Sequence, residues 1–419
     1  MKNQPLGIGR RKVPENPIAM LTGAPHRILF LGGALQALAS IGWWLADLLG
    51  RYANWYEPLH WSLPPSWMHP YLLAYGLFPF FMFGFLLTAV PNWLGVRPRR
   101  YGWVSAAVLM CAGLLLTYIG LPTKAWLAAA GVAVHLAGFG IAWAELLRLV
   151  LRSPARDKRY PRLLATEVGM GWLGAFAFLL YVITDDAGFA EFSRRAGVWF
   201  FLLPVFFTVS HRMVPFFSSR VLEPYEIYRP QWSLWLILTA SVAHGAIELG
   251  GGHRFSWIVD APMCATLFFL AFKWGLMRCF AARLLAVLHL SLLGAAISTL
   301  LYSIQSLLLF FFEMETLGSA PVHAMTLGYF SAMMVAMVSR VSLGHSGHAL
   351  IADNLTWIAF WGMMATAMVR VLAEAPFVAS HAFAALIPLA AFMWFGFFLL
   401  WASRYLPLYV NPPTDAEPG

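Results

Sequence analysis

The sequence predicts an all-α fold, a membrane bundle of about twelve transmembrane helices with both termini in the cytoplasm. Of the 419 residues, 60% are hydrophobic and only 11% are charged, whereas soluble domains contain about 25% charged residues. The mean hydropathy is +0.68. Aromatic residues make up 16% of the chain and include 19 Trp, a residue type that collects at membrane interfaces. The first expected partner of this chain is therefore a lipid bilayer.

This composition also excludes several other classes of protein. The formal net charge of +9 is better explained by loops at a membrane surface than by nucleic-acid binding, and we expect no nucleic-acid partner. The three cysteines, Cys111, Cys264 and Cys279, lie in apolar stretches and form no CxxC pair. They therefore predict neither a disulfide framework nor a thiolate zinc site.

Apolar stretches of about 20 residues, the length that crosses roughly 30 Å of hydrocarbon, follow one another along the chain. The predicted spans cover residues 27–49, 68–94, 102–121, 125–147, 163–183, 196–217, 232–250, 256–277, 284–312, 319–341, 354–372 and 381–402. Their connections are short, so no soluble domain fits between them, and no internal repeat is evident. We divide the chain into a cytoplasmic N-terminal segment (1–25), a transmembrane domain (26–403) and a cytoplasmic tail (404–419).

Lysine and arginine residues set the predicted orientation, because cytoplasmic loops retain positive charge. The connections after spans 2, 4, 6 and 8 are rich in these residues, and the alternate connections contain few. We call the end of the bundle with the odd-to-even connections the outer end and the opposite end the inner end. The N-terminal segment has basic residues but no compact apolar core followed by a cleavage site, so we expect no cleaved signal peptide.

Histidines are the main functional signal, because ionisable groups inside a bilayer are costly and are usually kept for a function. Four lie near the outer end of the predicted spans, namely His69, His244, His323 and His381. Others lie near the inner end, namely His26, His211, His289, His345 and His348. Neutral imidazole ligates haem iron and copper, so the two layers predict two metal or haem levels. The alternative, that these histidines merely occupy the polar interface at helix ends, remains open.

The inner layer contains the strongest local motif, His345-x-x-His348. On a helix the two side chains would share a face and could bind a small cation such as copper, and His26 lies at the same predicted depth. Gly344 and Gly347 make a turn equally compatible with the motif. We therefore take His26, His345 and His348 as candidate metal ligands.

Two further features concern the inner helix ends and span 10. Arg212 and Arg340 lie near inner histidines, where a guanidinium could pair with haem carboxylates or extend to the lipid headgroups. Span 10 carries small residues at four-residue spacing, among them Ala324 and Gly328. That spacing favours close approach by another helix or by a flat macrocycle.

Several blocks of the sequence together resemble a known family. They are FLLTAVPNW at 85–93, RMVPFF at 212–217, LHL at 288–290, VHAMTLG at 322–328 and SRVSLGHSG at 339–347. The sequence is similar to the NnrS family on these blocks, which extend over most of the chain. The resemblance implies a twelve-span protein of the bacterial inner membrane that contains haem b, one or two groups, and copper, and that is linked to denitrification and resistance to nitric oxide.

The resemblance also directs attention to particular residues. It implies that His69, His289, His323 and His345 are candidate haem or copper ligands. Family members typically have H-x-H-E-M early in span 2, where this chain has His69-Pro70-Tyr71-Leu72-Leu73. The second histidine and the glutamate of the pattern are thus replaced, whereas His26 and His211 stand where members usually have other residues. The candidate haem-binding set is His69, His289, His323, His211, Arg212 and Arg340.

These observations lead to one main functional hypothesis. The chain is expected to be a haem- and copper-binding membrane protein that binds or helps to detoxify nitric oxide, with enzymatic turnover left open. It has no CxxCH motif for covalent haem attachment, so electrons would come from an unknown donor. The alternatives are a transporter of a small solute, metal or haem, for which paired broken helices would be expected, and an assembly factor for a respiratory complex.

Overall fold

The computed structural model describes residues 16–414, and every regular element in that range is a helix. Twelve helices are long and apolar enough to cross a membrane, which confirms the predicted multi-pass membrane protein, and we number them α1 to α12. Their bounds are Pro25–Arg51, Pro65–Leu94, Arg100–Gly120, Ala125–Arg152, Arg159–Thr184, Ala187–Ser218, Gln231–Leu249, Trp257–Trp274, Arg283–Phe312, Ala320–His345, Asn354–Leu372 and Ser380–Val410. A short helix, Pro17–Leu21, precedes α1. The start of the predicted N-terminal segment and the end of the predicted tail lie outside the described residues.

Two helices extend well beyond the spans that hydropathy predicts. α6 begins at Ala187, although its predicted span begins at residue 196, because its first turns are polar. The Asp186 side chain caps this start by accepting a hydrogen bond from the backbone N–H of Gly188 (2.8 Å). α12 continues to Val410, so the predicted tail, 404–419, begins as a helix.

The centre of the bundle consists of α2, α6 and α10, which bury a larger share of their residues than the other nine helices. Each of the three contains a π-helical segment in its outer half. The segments are Leu72–Leu77, Gly197–Leu202 and Ala324–Ser331. A π-helical segment therefore recurs in every fourth helix from α2 to α10, although no internal repeat is evident in the sequence.

Proline residues account for two of these π-helical segments. Pro79 and Pro204 each follow a segment by two positions. Because proline has no backbone N–H, the carbonyl four residues earlier loses its usual donor, and the wider π turn accommodates this interruption. In α2 the side chain of Gln36 also donates to the backbone carbonyl of Leu72 (3.3 Å). The wider turns thus lie next to the outer layer of candidate ligands.

The small residues of span 10 make the predicted close contact with another helix. Gly328 of α10 packs so tightly against Gly294 of α9 that a Cβ atom at position 294 would collide with the Gly328 carbonyl. A similar contact joins α3 and α4, where Gly113 lies against the backbone of His135. Close approach through small residues is a common mode of helix association in membranes, and it fixes the positions of the helices around the central three.

Candidate functional site

A cavity of about 270 Å³ lies near the outer end of the bundle, between α1, α2, α6, α10, α11 and α12. Its walls are mostly apolar, with Phe78 and Trp394 among the larger side chains. Two histidines from different central helices line it, His69 of α2 and His323 of α10. We call it the His69–His323 cavity. It joins the two outer histidines that belong to the candidate haem set.

His323 is held in a defined orientation. Its Nδ1 lies 2.8 Å from the backbone carbonyl oxygen of Ser319. Because a carbonyl oxygen only accepts hydrogen bonds, Nδ1 carries the proton and donates it. In the neutral ring Nε2 is then the nitrogen with the lone pair, which is the atom that binds a metal. The backbone of α10 thus prepares His323 as a ligand.

His69 is held by a different kind of contact. Its ring stacks on the indole of Trp44 of α1, with ring centroids 4.1 Å apart and an angle of 18° between the planes. The residue lies in the first turns of α2, just before the π-helical segment of that helix. Stacking orients the plane of the imidazole without occupying either of its nitrogen atoms.

Two arginines, which sequence analysis did not select, also line the His69–His323 cavity: Arg194 of α6 and Arg370 of α11. Arg370 Nη2 donates to Glu374 (2.9 Å) and to the hydroxyl of Ser319 (2.8 Å). Its Nη1 is buried and has no hydrogen-bond partner among the described residues. A buried donor without a partner is costly, so this cavity is suited to a ligand with an anionic group. The only sequence signal was an arginine at the end of an apolar span.

A second cavity, of about 640 Å³, lies at the inner end. His26 of α1 and His345 of α10 line it, and their ring centroids are 4.7 Å apart. Thr88 lies on the same wall, with its hydroxyl 3.4 Å from His26 Nδ1. We call it the His26–His345 cavity. The structure therefore brings together two of the three candidate metal ligands.

The third candidate metal ligand, His348, is placed differently. The structure puts a turn after His345, and His348 Nδ1 lies 2.9 Å from the hydroxyl of Ser346. His348 is not among the residues that line the His26–His345 cavity. Within residues 16–414, no three His, Cys, Asp or Glu side chains converge in a way that could hold a metal ion. Among the described residues, the candidate metal ligands that line this cavity are two imidazoles.

Comparisons with known proteins identify the family of this chain and a solved structure with the same fold. The sequence profile of the NnrS protein family matches residues 20–412, which is nearly the whole chain. The chain belongs to the NnrS family. No curated protein matches the chain. Among solved structures, the chain is similar to a haem-copper terminal oxidase dimer determined by cryo-electron microscopy. The TM-score is 0.67 and the sequence identity is 11%. The aligned region covers 97% of this chain and 87% of that chain. At this identity the likeness shows a shared fold.

The remaining histidines of the candidate haem set lie elsewhere in this NnrS-family protein. His211 of α6 is buried, with Nδ1 2.8 Å from the hydroxyl of Tyr160 and Nε2 3.1 Å from the hydroxyl of Ser233. His289 of α9 is also buried, with Nε2 3.0 Å from the hydroxyl of Ser218. Neither lines the two cavities with paired histidines. Their role as cofactor ligands stays a prediction.

The two arginines of the candidate set have aromatic partners. The guanidinium of Arg212 lies 4.2 Å from the ring centroid of Trp93, and that of Arg340 lies 3.9 Å from the ring centroid of Phe217. These are the distances of cation–π contacts. Neither side chain lines the two paired-histidine cavities, so their pairing with haem carboxylates also stays a prediction.

The departure from the NnrS pattern in α2 has a visible structural consequence. Tyr71 is buried, stacks on Phe178 with ring centroids 4.2 Å apart, and its hydroxyl lies 3.1 Å from Nδ1 of His135 in α4. Leu72, at the position of the usual glutamate, is buried and begins the π-helical segment. The side of α2 that carries these two residues is therefore packed with aromatic and apolar groups, and His69 is the only histidine that this motif contributes.

Proposed function

We propose that this protein binds haem b in the His69–His323 cavity and acts in the bacterial inner membrane by binding nitric oxide. The observation that carries the proposal is that two imidazoles from two central helices line one apolar cavity, with Nε2 of His323 prepared as a ligand by its Nδ1 hydrogen bond. Membership of the NnrS family and the fold shared with a haem-copper terminal oxidase support it.

The chemistry of the cavity fits the parts of a haem group. Its apolar walls suit a flat macrocycle, and cofactor sites in helical bundles are built from side chains on facing helices. The unpartnered Nη1 of Arg370 suits a carboxylate, because a guanidinium and a carboxylate form strong charge-assisted hydrogen bonds. Arg194 lies at the same wall, where its guanidinium is paired with Glu191 (2.6 Å).

The two histidines would differ in how strongly they bind the iron. His323 is anchored through its hydrogen bond to the Ser319 carbonyl, whereas His69 is oriented by stacking on Trp44. A haem iron with an open or displaceable axial position binds nitric oxide. We therefore propose that His323 would be the firmer ligand of a bound haem and that His69 would be the weaker ligand, which nitric oxide could displace. Electrons would come from a separate donor.

Copper is proposed for the inner cavity. Imidazole is a suitable copper ligand, and the rings of His26 and His345 face the same cavity with centroids 4.7 Å apart. This proposal uses two histidines, because His348 lies outside that cavity and contacts Ser346.

The haem proposal is tested by visible spectra of the purified full-length protein, oxidised and reduced with dithionite. We expect Soret and alpha bands in the wild type and their loss in His323→Ala. In His69→Ala, haem should remain bound but change its coordination, and nitric oxide should then produce a smaller spectral change than in the wild type. The matched control is His381→Ala, which removes an exposed histidine at the outer end. A colourless wild-type protein, or unchanged bands in His323→Ala, would contradict the proposal, and transport of a solute by a colourless protein would support the transporter alternative.

Copper is tested by elemental analysis of the same preparations. We expect His26→Ala and His345→Ala to lose most of the copper and His348→Ala to retain it. If His348→Ala loses as much copper as the other two variants, all three histidines of the original candidate set take part. If none of the three variants differs from the wild type, the inner site is not a copper site.

A further inference from the structure

A buried histidine between two carboxylates lies apart from both paired-histidine cavities. His244 of α7 is fully buried, and its Nδ1 is 2.6 Å from Oδ1 of Asp260 in α8, which is also fully buried. On the other side of the ring, Nε2 is 3.3 Å from Oε1 of Glu248, one turn along α7. We call these three residues the His244 triad. It is located in the outer half of the bundle, as the position of His244 in its span predicts.

The surroundings of the triad are mainly aromatic. The ring of Trp199 in α6 stacks on His244 with centroids 3.6 Å apart, and Tyr302 of α9 contacts it edge-on at 4.8 Å. An isolated charge in such a place is costly, and ionisable groups within a membrane are kept in pairs or in proton pathways. The triad therefore needs at least one proton shared between its imidazole and its carboxylates.

Among the described residues, the basic groups that reach the triad lie at its Glu248 end. Arg195 of α6 donates to the Glu248 backbone carbonyl, and its Nε is 4.0 Å from the Glu248 carboxylate. Arg195 also pairs with Glu191 (2.5 Å). His253, in the connection after α7, is 4.0 Å from Glu248. Among residues 16–414, His244 is the basic group that contacts Asp260, and Oδ2 of Asp260 is buried without a hydrogen-bond partner, so the charge on Asp260 depends mainly on the proton of His244.

The same triad is not arranged as a metal site. The two carboxylates approach opposite nitrogens of one ring, whereas metal ligands point toward a common centre. No group of three such side chains in residues 16–414 could hold a metal ion. A line of carboxylate, imidazole and carboxylate fits a proton. It can move across the 2.6 Å hydrogen bond between Asp260 and Nδ1 and, once Glu248 moves closer, across the 3.3 Å contact at Nε2, which makes no hydrogen bond in this structure.

A further cavity reaches the triad at Glu248. It has a volume of about 600 Å³ and is lined by Glu248, His253 and Tyr302, among others. Its wall includes residues of the connection between α9 and α10 at the outer end, such as Glu315. We call it the Glu248 cavity. It shares Arg194, Val198, Ser319 and Val322 with the His69–His323 cavity, so the two cavities adjoin.

We propose that the His244 triad is a proton-exchange site that takes up and releases a proton through the Glu248 cavity at the outer end of the bundle. We further propose that its proton compensates charge changes in the adjoining His69–His323 cavity. This second part rests on the proposed haem function, and the first part does not. In the exchange, Asp260 and His244 share one proton across their hydrogen bond, and Glu248 passes it to water in the Glu248 cavity.

Infrared spectroscopy of the full-length protein tests the exchange directly, because a protonated carboxyl group has a C=O band that shifts in deuterated water. We expect a pH titration of the wild type to show such a band, and Asp260→Asn to remove it. Asp260→Glu should retain the band at a shifted position. Such a band would show that Asp260→Asn loses the signal because the carboxyl group is gone and not because the protein is unfolded. The control is Glu167→Gln, which removes a buried carboxyl group of α5 that bonds Thr208 and no histidine.

Two outcomes overturn the exchange site: a wild type without a titrating carboxyl band, or a band that persists in both Asp260→Asn and Glu248→Gln. Access from the outer end is tested in proteoliposomes with the pH changed on one side only. A band that responds solely to the pH at the inner end would refute access through the Glu248 cavity.

The coupling to the haem cavity is tested by the same band before and after dithionite reduction. We expect reduction to shift or deplete the triad's signal in the wild type, and the shift to disappear in Asp260→Asn. A titrating band that is unchanged on reduction of a haem-loaded protein overturns the coupling. The proposal of a proton-exchange site is not affected by that result. A protein without haem bands instead refutes the proposed function. In that case the pH titration still tests whether the triad exchanges a proton.

Discussion

Arg370→Gln should weaken haem binding without disturbing the histidines. In the structure Arg370 uses Nη2 for Glu374 and Ser319 and leaves Nη1 buried and unpartnered at the wall of the His69–His323 cavity. If a haem carboxylate accepts from Nη1, the wild type gains one hydrogen bond to a charged group. Glutamine is shorter and uncharged, so it removes that interaction while keeping a polar side chain.

The size of the effect follows from that single interaction. A hydrogen bond to a charged group contributes about 1.5–3 kcal/mol, and a tenfold change in an equilibrium constant corresponds to about 1.4 kcal/mol. We therefore expect the dissociation constant for haem to rise roughly 10- to 150-fold. The oxidised and reduced spectra of the haem that remains bound should keep the wild-type band positions, because His69 and His323 are unchanged.

The assay is transfer of haem from the purified protein to an excess of a soluble haem-binding acceptor, followed in the visible spectrum. Arg370→Gln also exposes Glu374 without its partner, so the double variant with Glu374→Gln separates local charge imbalance from loss of the carboxylate contact. Arg404→Gln is the matched control, since it removes an arginine paired with Asp353 (2.5 Å) outside the cavity. Equal transfer rates for Arg370→Gln and the wild type would refute the placement of a haem carboxylate at Arg370.

Two further predictions concern stability and are read from thermal unfolding of the detergent-solubilised protein. Burial raises the pKa of Asp353, but hydrogen bonds from Thr356 and Arg404 outweigh it, so this pKa lies below its usual 3.8. The stabilisation is therefore fully present well above the usual pKa of 3.8 and is lost as the pH falls through the lowered pKa of the folded state; Asp353→Ala, which also removes the helix cap, should cost about 1 kcal/mol at pH 7 and remove this acid dependence. Gly294→Val should cost about 1–3 kcal/mol or more, because the side chain would collide with the Gly328 carbonyl. Unchanged unfolding temperatures would contradict either assignment.

The fold could be predicted from the sequence because hydropathy depends mainly on local composition. All twelve spans are found as helices. The start of α6 at Ala187 could not be predicted in this way, since its first turns are polar and are stabilised by a cap at Asp186. The recurrence of π-helical segments was also not evident, because it depends on backbone geometry and on prolines at only two of the three positions.

The site was predictable in part. Depth along the spans placed His69 and His323 in one layer and His26 and His345 in another, and the structure brings each pair to one cavity. Depth could not distinguish them from His289, because the direction of a side chain around its helix depends on which helices are neighbours. Contacts between side chains on different helices could not be predicted for the same reason.

The residues that sequence analysis missed are those whose significance comes from another helix. In the sequence Arg370 is only a positive charge at the end of an apolar span. That its Nη1 is buried at a cavity wall without a hydrogen-bond partner follows from the packing of α10 against α11. Asp260 was not selected because it is a single acidic residue in an apolar span. Its role becomes apparent only from the 2.6 Å contact with His244 of the preceding helix.

The π-helical segment in α2 determines where His69 points relative to the rest of that helix. A π turn contains one residue more than an α turn, and each residue of an α-helix advances the direction of the side chain by about 100°. Removing a single residue from Leu72–Leu77 would restore a regular helix and rotate the whole outer part of α2 by that angle. His69 would then leave the cavity although no cavity side chain had been substituted. The position of this imidazole is thus controlled by the length of the backbone and not by the identity of its neighbours alone.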